Sequence, residues 1–297
     1  MFHRSALLKE SIDALAIRQA GIYVDATFGG GGHSKEILKH LGEGRLFGFD
    51  QDEDAIINTI NDARFTMINN NFRYIRNFLK LYRSVPVDGI LADLGISSHQ
   101  IDVPERGFST RFEAELDMRM DQRGKQMAKD VLNTYSEEQL ASVFHDYGEI
   151  RNSAKVARMI TGRRREKAIT TTRELTELLT PFAVRGRENK YFAQVFQALR
   201  IEVNNEMEVL KEFLIQSTEV LKPGGRLVVI SYHSLEDKLV KNFFRAGKFS
   251  GEPEKDFYGN LLTPLRVINR KPIVPGEKEV SGNPRARSAR LRIAEKI

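Results

Sequence analysis

The feature that most constrains what this chain can fold into is a run of four glycines, Gly29 to Gly32. It follows a short apolar segment, Ile22-Tyr23-Val24, and an acid, Asp25. Glycines at the top of a strand let the backbone turn tightly and approach a ligand closely. The segment from Ser34 to Leu41 reads as a helix, and its N-terminus offers unpaired N–H groups beside that turn. A strand, a glycine turn and a helix in this order open an α/β sheet.

Two phosphate-binding readings fail on spacing. A dinucleotide fingerprint needs glycines at its first, third and sixth positions; Gly29 and Gly31 fit, but the sixth is Ser34. A Walker loop ends in Gly-Lys-Ser/Thr, and Gly32-His33-Ser34 has no lysine. Asp25 at the mouth of the turn disfavours a pyrophosphate and favours a ligand with positive charge. S-adenosylmethionine (SAM) carries a sulfonium and an ammonium and no phosphate. A second strand, Leu46–Phe49, ends in Asp50, where an acid can accept hydrogen bonds from ribose hydroxyls. Such bonds contribute roughly 1.5–3 kcal/mol each. The alternative for Asp50 is a cap on a helix beginning near Asp52.

The alternation continues with a helix expected near Glu53–Ala63, a third strand Phe65–Ile68 leading to Asn69-Asn70-Asn71-Phe72, and a fourth, Gly89–Asp93. Strands alternating with helices predict a doubly wound α/β sheet, with Asp25, Asp50, Phe72 and Asp93 at its carboxyl edge. From Pro104 to Arg200 no strand pattern is evident. Ser136-Glu137-Glu138-Gln139 is a capping box, and Asn152–Thr161 and Thr172–Leu179 have amphipathic helical spacing. The sheet pattern resumes with a helix over Asn205–Leu221, a turn at Pro223-Gly224-Gly225, a fifth strand Arg226–Ser231 and a final strand Ala289–Ile293. The expected division is a sheet domain over residues 1–103 and 201–297 interrupted by an all-helical insertion over 104–200.

Composition bounds the function class. The 46 Lys and Arg against 40 Asp and Glu leave a net charge of +6, which permits a nucleic-acid partner without demanding one. Cysteine is absent, which excludes disulfides, zinc–thiolate sites and a cysteine nucleophile. The histidines (His3, His33, His40, His99, His145 and His233) show no ligand spacing, so no metal site is expected. No stretch is long and apolar enough for a membrane span, and no signal-peptide core is evident, so a cytoplasmic location is expected.

Four motifs in order, Val24 to Ser34, Asp93-Leu94-Gly95-Ile96-Ser97-Ser98, Ser231-Tyr232-His233-Ser234-Leu235-Glu236-Asp237 and Asn283-Pro284-Arg285-Ala286-Arg287-Ser288, resemble the RsmH or MraW family of bacterial ribosomal RNA methyltransferases. The likeness runs from about His3 to about Lys296. It implies a Rossmann-like class I SAM-dependent methyltransferase sheet whose insertion recognises substrate. It also implies methylation of the exocyclic N4 amine of one cytidine in 16S ribosomal RNA, at the decoding centre of the small subunit. By the same resemblance Gly31, Gly32, His33, Asp50, Phe72, Asp93 and Gln100 contact the cofactor, joined by Asp25 and Gly29 from the loop itself.

Asp93 is the candidate catalytic residue, because a carboxylate can hydrogen-bond the protons of a weakly nucleophilic cytidine amine; the alternative is that it binds only the cofactor. Amino-methyltransferases often place Pro-Pro-aromatic after that position, which Leu94-Gly95-Ile96 does not supply. Base stacking then falls to Phe108, Phe112 or Tyr232. Arg164 and Arg165 in the insertion, with Arg285 and Arg287 before the final strand, are candidates for RNA phosphates, as guanidinium offers paired donors. His233 would contact the target nucleotide or hold its own loop, and His33 would cap, pack or meet the cofactor. A DNA or small-molecule amino-methyltransferase, or a non-catalytic SAM-binding ribosome-assembly factor, remains open on the residues alone.

Overall fold

The computed structural model describes residues 5–250, 254–259 and 262–297; His3 lies outside the described residues. The chain opens with α1 (Leu8–Leu15), β1 (Ile22–Asp25), α2 (Gly32–His40), β2 (Arg45–Phe49), β3 (Phe65–Ile68), α3 (Ile75–Leu81) and β4 (Val87–Asp93). Six helices follow: α4 (Ser98–Asp102), α5 (Ala128–Thr134), α6 (Glu137–Asp146), α7 (Ser153–Arg163), α8 (Thr172–Leu179) and α9 (Glu188–Asn204). The chain then returns through α10 (Glu206–Val220), β5 (Leu221–Ser231), α11 (Ser234–Ala246), β6 (Leu265–Val267), α12 (Glu277–Gly282) and β7 (Arg290–Lys296).

Among the described residues the strands form one seven-stranded sheet in the order β3-β2-β1-β4-β5-β7-β6. β1 to β5 run parallel, whereas β7 enters antiparallel between β5 and β6. The order reverses between β1 and β4, and the crevice beyond the carboxyl ends of these two strands is where such sheets bind ligands. Both faces are covered, so the strands read as continuous apolar runs. Ile90 and Ala92 of β4 and Leu227 and Val229 of β5 face one core with Ile75, Leu79, Phe213 and Phe244. Their neighbours Leu91, Val228 and Ile230 face the other with Leu15, Ile37 and Leu38.

The chain divides into two compact units, residues 1–95 with 207–297, and 96–206. The second is all-helical apart from a single bridge between Glu115 and Thr171. It carries its own core, including Leu140, Phe144, Val156, Ile160, Leu175, Leu179, Phe196 and Leu199. The unit begins eight residues before, and ends six after, the limits of 104 and 200 read from the sequence, because α4 and the end of α9 belong to it.

One expected element is not formed. In place of a helix over Glu53–Ala63 there is a 3₁₀ segment, Glu53–Asn58, with Ile57 exposed. The Asp52 side chain caps Asp54 N, and the Asn58 side chain donates to Gly29 O at 3.1 Å, drawing the segment toward the glycine loop. Asp62 then turns the chain by accepting from Arg64 N and its guanidinium. The expected turn at 223–225 lies within β5, whose register to β4 shifts between Val87 and Gly89.

Candidate active site

The loop after β1 is built around Asp25. Its carboxylate is 1% exposed and accepts from Ser34 Oγ (2.7 Å) and from Thr27 N (3.2 Å). Asp25 thereby ties the first turn of α2 to the end of β1. Burial, opposed by these hydrogen bonds, pushes its carboxyl up to about 6. Gly31 sits at φ +73°, a conformation that favours glycine, and a Cβ on Gly32 would lie 2.1 Å from Ser5 Oγ, so the loop needs both.

Asp50 at the end of β2 fastens the same loop from the other side. Its oxygens accept from Gly29 N at 2.8 Å and from Asp52 N at 2.9 Å. The second bond is a local turn of the capping kind; the first binds the glycine loop directly. Burial raises this carboxyl to about 6 as well, with the Asp52 and Asp25 charges adding to the shift. Phe72 follows β3 in a short 3₁₀ turn and is half-buried, its ring edge-on to Phe213 at 5.0 Å.

Asp93 ends β4. Its amide donates to Thr27 Oγ1 (2.7 Å), its Oδ1 accepts from Tyr232 Oη (2.7 Å), and its Oδ2 lies 3.8 Å from His33 Nδ1. Its side chain is 17% exposed. Burial raises its carboxyl to about 6; His33 and the Tyr232 hydrogen bond oppose this, and the Asp25 and Glu236 charges add to it. The His33 ring is buried, with Nε2 3.2 Å from Ala6 O; a carbonyl can only accept, so Nε2 carries a proton. His33 thus joins the turn before α1 to the site, as well as facing Asp93.

These contacts test whether a cationic cofactor fits. Asp25, Asp50 and Asp93 converge at the switch point, and Asp25 raises the proton affinity of the other two. A site of mutually repelling, desolvated carboxylates is stabilised by a ligand bearing positive charge and destabilised by a phosphate. SAM is such a ligand. Gly29, Gly31, Gly32, His33 and Phe72 lie in the same unit as these acids. Gln100 falls in the helical unit, where it closes the α4 capping box with Ser97.

The remaining candidates separate. Tyr232 has its hydroxyl on Asp93 rather than free for a base, and its amide donates to Glu236 Oε2 (2.8 Å). His233 caps α11, its Nε2 3.1 Å from Glu236 Oε1, so its ring rests on its own helix. Phe108 is buried in the helical core beneath the Arg106 guanidinium, so it is not a free stacking platform. Phe112 is 36% exposed with Arg111 over its ring. Arg164 donates to Leu132 O at 2.8 Å, a structural role, whereas Arg165 is exposed. Arg285 and Arg287 are exposed on a 3₁₀ turn just before Arg290, which pairs with Ser231 at the carboxyl end of β5.

Sequence reasoning did not find Asp237. Its carboxylate accepts from Arg292 Nε (2.6 Å) and Nη2 (3.0 Å) and from Arg290 Nη1 (3.2 Å), locking α11 to β7. The signal was present as an acid in one motif and arginines just after another.

A model of the MraW methylase family matches residues 1–297. A ribosomal RNA small subunit methyltransferase H from Christiangramia forsetii is 56% identical over 297 residues, covering 100% of this chain and 98% of its own length. One of the same name from Flavobacterium johnsoniae is 59% identical with the same coverage. Among solved structures, an rRNA methylase from Streptococcus thermophilus superposes at a TM-score of 0.44 with 12% identity, covering 100% of this chain and 99% of that one.

Proposed function

The chain belongs to the MraW methylase family, and from that premise we propose that it is a SAM-dependent ribosomal RNA methyltransferase. We take its target to be the exocyclic N4 amine of a cytidine in 16S ribosomal RNA, at the decoding centre of the small subunit, reached in the cytoplasm. The observation that carries the chemistry is the Asp93 carboxylate, fixed by Tyr232 at the switch point beside the glycine loop. The names borne by the curated relatives support the substrate class.

When bound, SAM supplies an electrophilic methyl group on a sulfonium. Gly29, Gly31, Gly32 and His33 would line its binding loop, Asp50 would accept from its ribose, and Phe72 would pack against its adenine. The lone pair of a cytidine amine is delocalised into the ring. A carboxylate accepting from that amine favours a more tetrahedral, more nucleophilic nitrogen, and we assign this role to Asp93. With its carboxyl at about 6, Asp93 is ionised at neutral pH and accepts the proton that the nitrogen releases on methylation. Most of the rate then comes from alignment of amine and methyl group. The helical unit, with Arg165 and the neighbouring basic residues, would recognise RNA, joined by Arg285 and Arg287.

The test is methyl transfer from labelled SAM to small ribosomal subunits lacking their decoding-centre modifications, followed by nucleoside analysis. Label in N4-methylcytidine is the expected result. Label in another nucleoside would overturn the site assignment. Cofactor binding without transfer to subunits or free RNA would leave a binding role only.

A further inference from the structure

Asp93 is held by a side chain that lies 139 residues further along the chain. We propose that Tyr232 is a positioning residue for the methyl-transfer step, holding Asp93 Oδ1 so that Oδ2 is the oxygen presented to the acceptor amine. This rests on the reading of Asp93 as the proton acceptor.

Tyr232 is itself anchored. Its amide donates to Glu236 Oε2, and its chain position is fixed by the β5–β7 pairing of Ser231 with Arg290. Its ring lies alongside Gly95, two residues beyond Asp93. A phenol donating at 2.7 Å occupies one carboxylate oxygen and leaves the other to face His33. A carboxylate with one oxygen tied cannot rotate freely, so Oδ2 keeps a fixed direction. Tyr232 keeps its proton throughout, since burial and the Asp93 charge drive its ionisation far upward. It therefore acts as a permanent donor and never as a base. In the transfer step, a nitrogen–carbon bond forms, the carbon–sulfur bond of the sulfonium breaks with its electron pair left on sulfur, and the nitrogen's surplus proton passes to Asp93 Oδ2.

Among the described residues, the charged and titratable groups that act on Asp93 are His33 from α2, Asp25 at the end of β1, Tyr232 after β5 and Glu236 on α11. The Tyr232 bond lowers the proton affinity of Asp93, while the Glu236 charge raises it. The two groups thus predict opposite shifts. In Tyr232→Phe, kcat should fall about tenfold, the equivalent of one lost hydrogen bond, with KM for SAM unchanged. The acid limb of its kcat–pH profile should move to higher pH. In Glu236→Gln the amide oxygen still accepts from Tyr232 N, and the limb should move to lower pH.

The experiment is the kcat–pH profile of wild type, Tyr232→Phe, Glu236→Gln and Asp93→Asn on small subunits, with SAM affinity by calorimetry. Opposite limb shifts with unchanged SAM affinity are the expected result. A slower Tyr232→Phe with an unmoved limb would reduce Tyr232 to a packing role and overturn the inference. So would full activity in Tyr232→Phe while Asp93→Asn is inactive, and that outcome would leave the role of Asp93 standing. Full activity in Asp93→Asn would instead remove the acceptor on which the inference depends.

Discussion

Replacing Asp25 by Asn removes a charge from the most buried acid of the site while keeping its shape. Asp25 is 1% exposed and its carboxyl is lifted from 3.8 to about 6 by burial. That shift corresponds to about 3 kcal/mol acting against the ionised fold at neutral pH. The folded protein holds a proton that the unfolded chain releases between about 4 and 6, so this group's contribution to stability falls as pH rises through that window. Asn has no such dependence. It loses the charge-assisted character of the bond from Ser34 Oγ, a cost of about 1 kcal/mol, but relieves the desolvated charge. Asp25→Asn, without cofactor, should therefore be at least as stable as wild type at pH 7.5, by up to about 2 kcal/mol. The difference should vanish near pH 4.5, where wild-type Asp25 is protonated. Urea denaturation of both proteins across this range measures it. A variant several kcal/mol weaker at pH 7.5, with the wild-type pH slope, would show that Asp25 is a stabilising ion rather than a strained one.

Asp50→Ala should weaken SAM binding at least tenfold, since bonds to a charged acceptor carry roughly 1.5–3 kcal/mol each; unchanged calorimetric affinity would sink the ribose assignment. Arg164→Ala should lower stability by about 1 kcal/mol through loss of its bond to Leu132 O. Arg165→Ala should leave stability unaltered and reduce the salt slope of RNA binding by about one unit; an unaltered slope would return Arg165 to the solvated surface. Asp237→Ala strands Arg292, which is 6% exposed, without its bidentate partner. A loss of about 3–5 kcal/mol in the sheet unit is expected, read from the denaturation midpoint, and a loss below 1 kcal/mol would show the pair to be dispensable.

The parallel strands were legible because buried strands of an α/β sheet are short, apolar and punctuated by turns. Ile22–Val24, Leu46–Phe49, Phe65–Ile68 and Gly89–Asp93 fall within the strands that formed. The carboxyl-edge acids came with them, since Asp25 and Asp93 end their strands and Asp50 directly follows its own. The 3₁₀ segment after Asp50 escaped because its conformation is set by Asn58 reaching across to Gly29, a contact 29 residues distant that no local pattern records. Phe108 misled for a related reason. An aromatic followed by basic residues reads alike whether it stacks a base or fills a core, and only burial among the helices separates the two. The sequence pattern assigns no helix to α1, α3, α4, α5, α9, α11 or α12, although α11 begins inside one of the four motifs.

That motif shows how far sequence chemistry can be read as mechanism. Tyr232-His233-Ser234-Leu235-Glu236-Asp237 looks like a set of reactive groups. In the fold, Glu236 accepts from the amides of Tyr232 and His233, His233 rests against Glu236, and Asp237 grips Arg292 and Arg290 of β7. The side chains of His233, Glu236 and Asp237 are thus engaged with their own loop, helix or neighbouring strand. Tyr232, by contrast, donates to the carboxylate at the end of β4. The antiparallel β7 contributes to the same end, because its pairing with β5 sets where Ser231 stops and Tyr232 begins. If this is the division of labour, disturbing the Asp237 clamp should alter the orientation of Asp93 through Tyr232 without changing any group at the switch point. A conservative Arg292→Lys, which keeps the charge but loses the paired donors, should then lower kcat while leaving SAM affinity at its wild-type value. Loss of both together would place the clamp in the cofactor site instead.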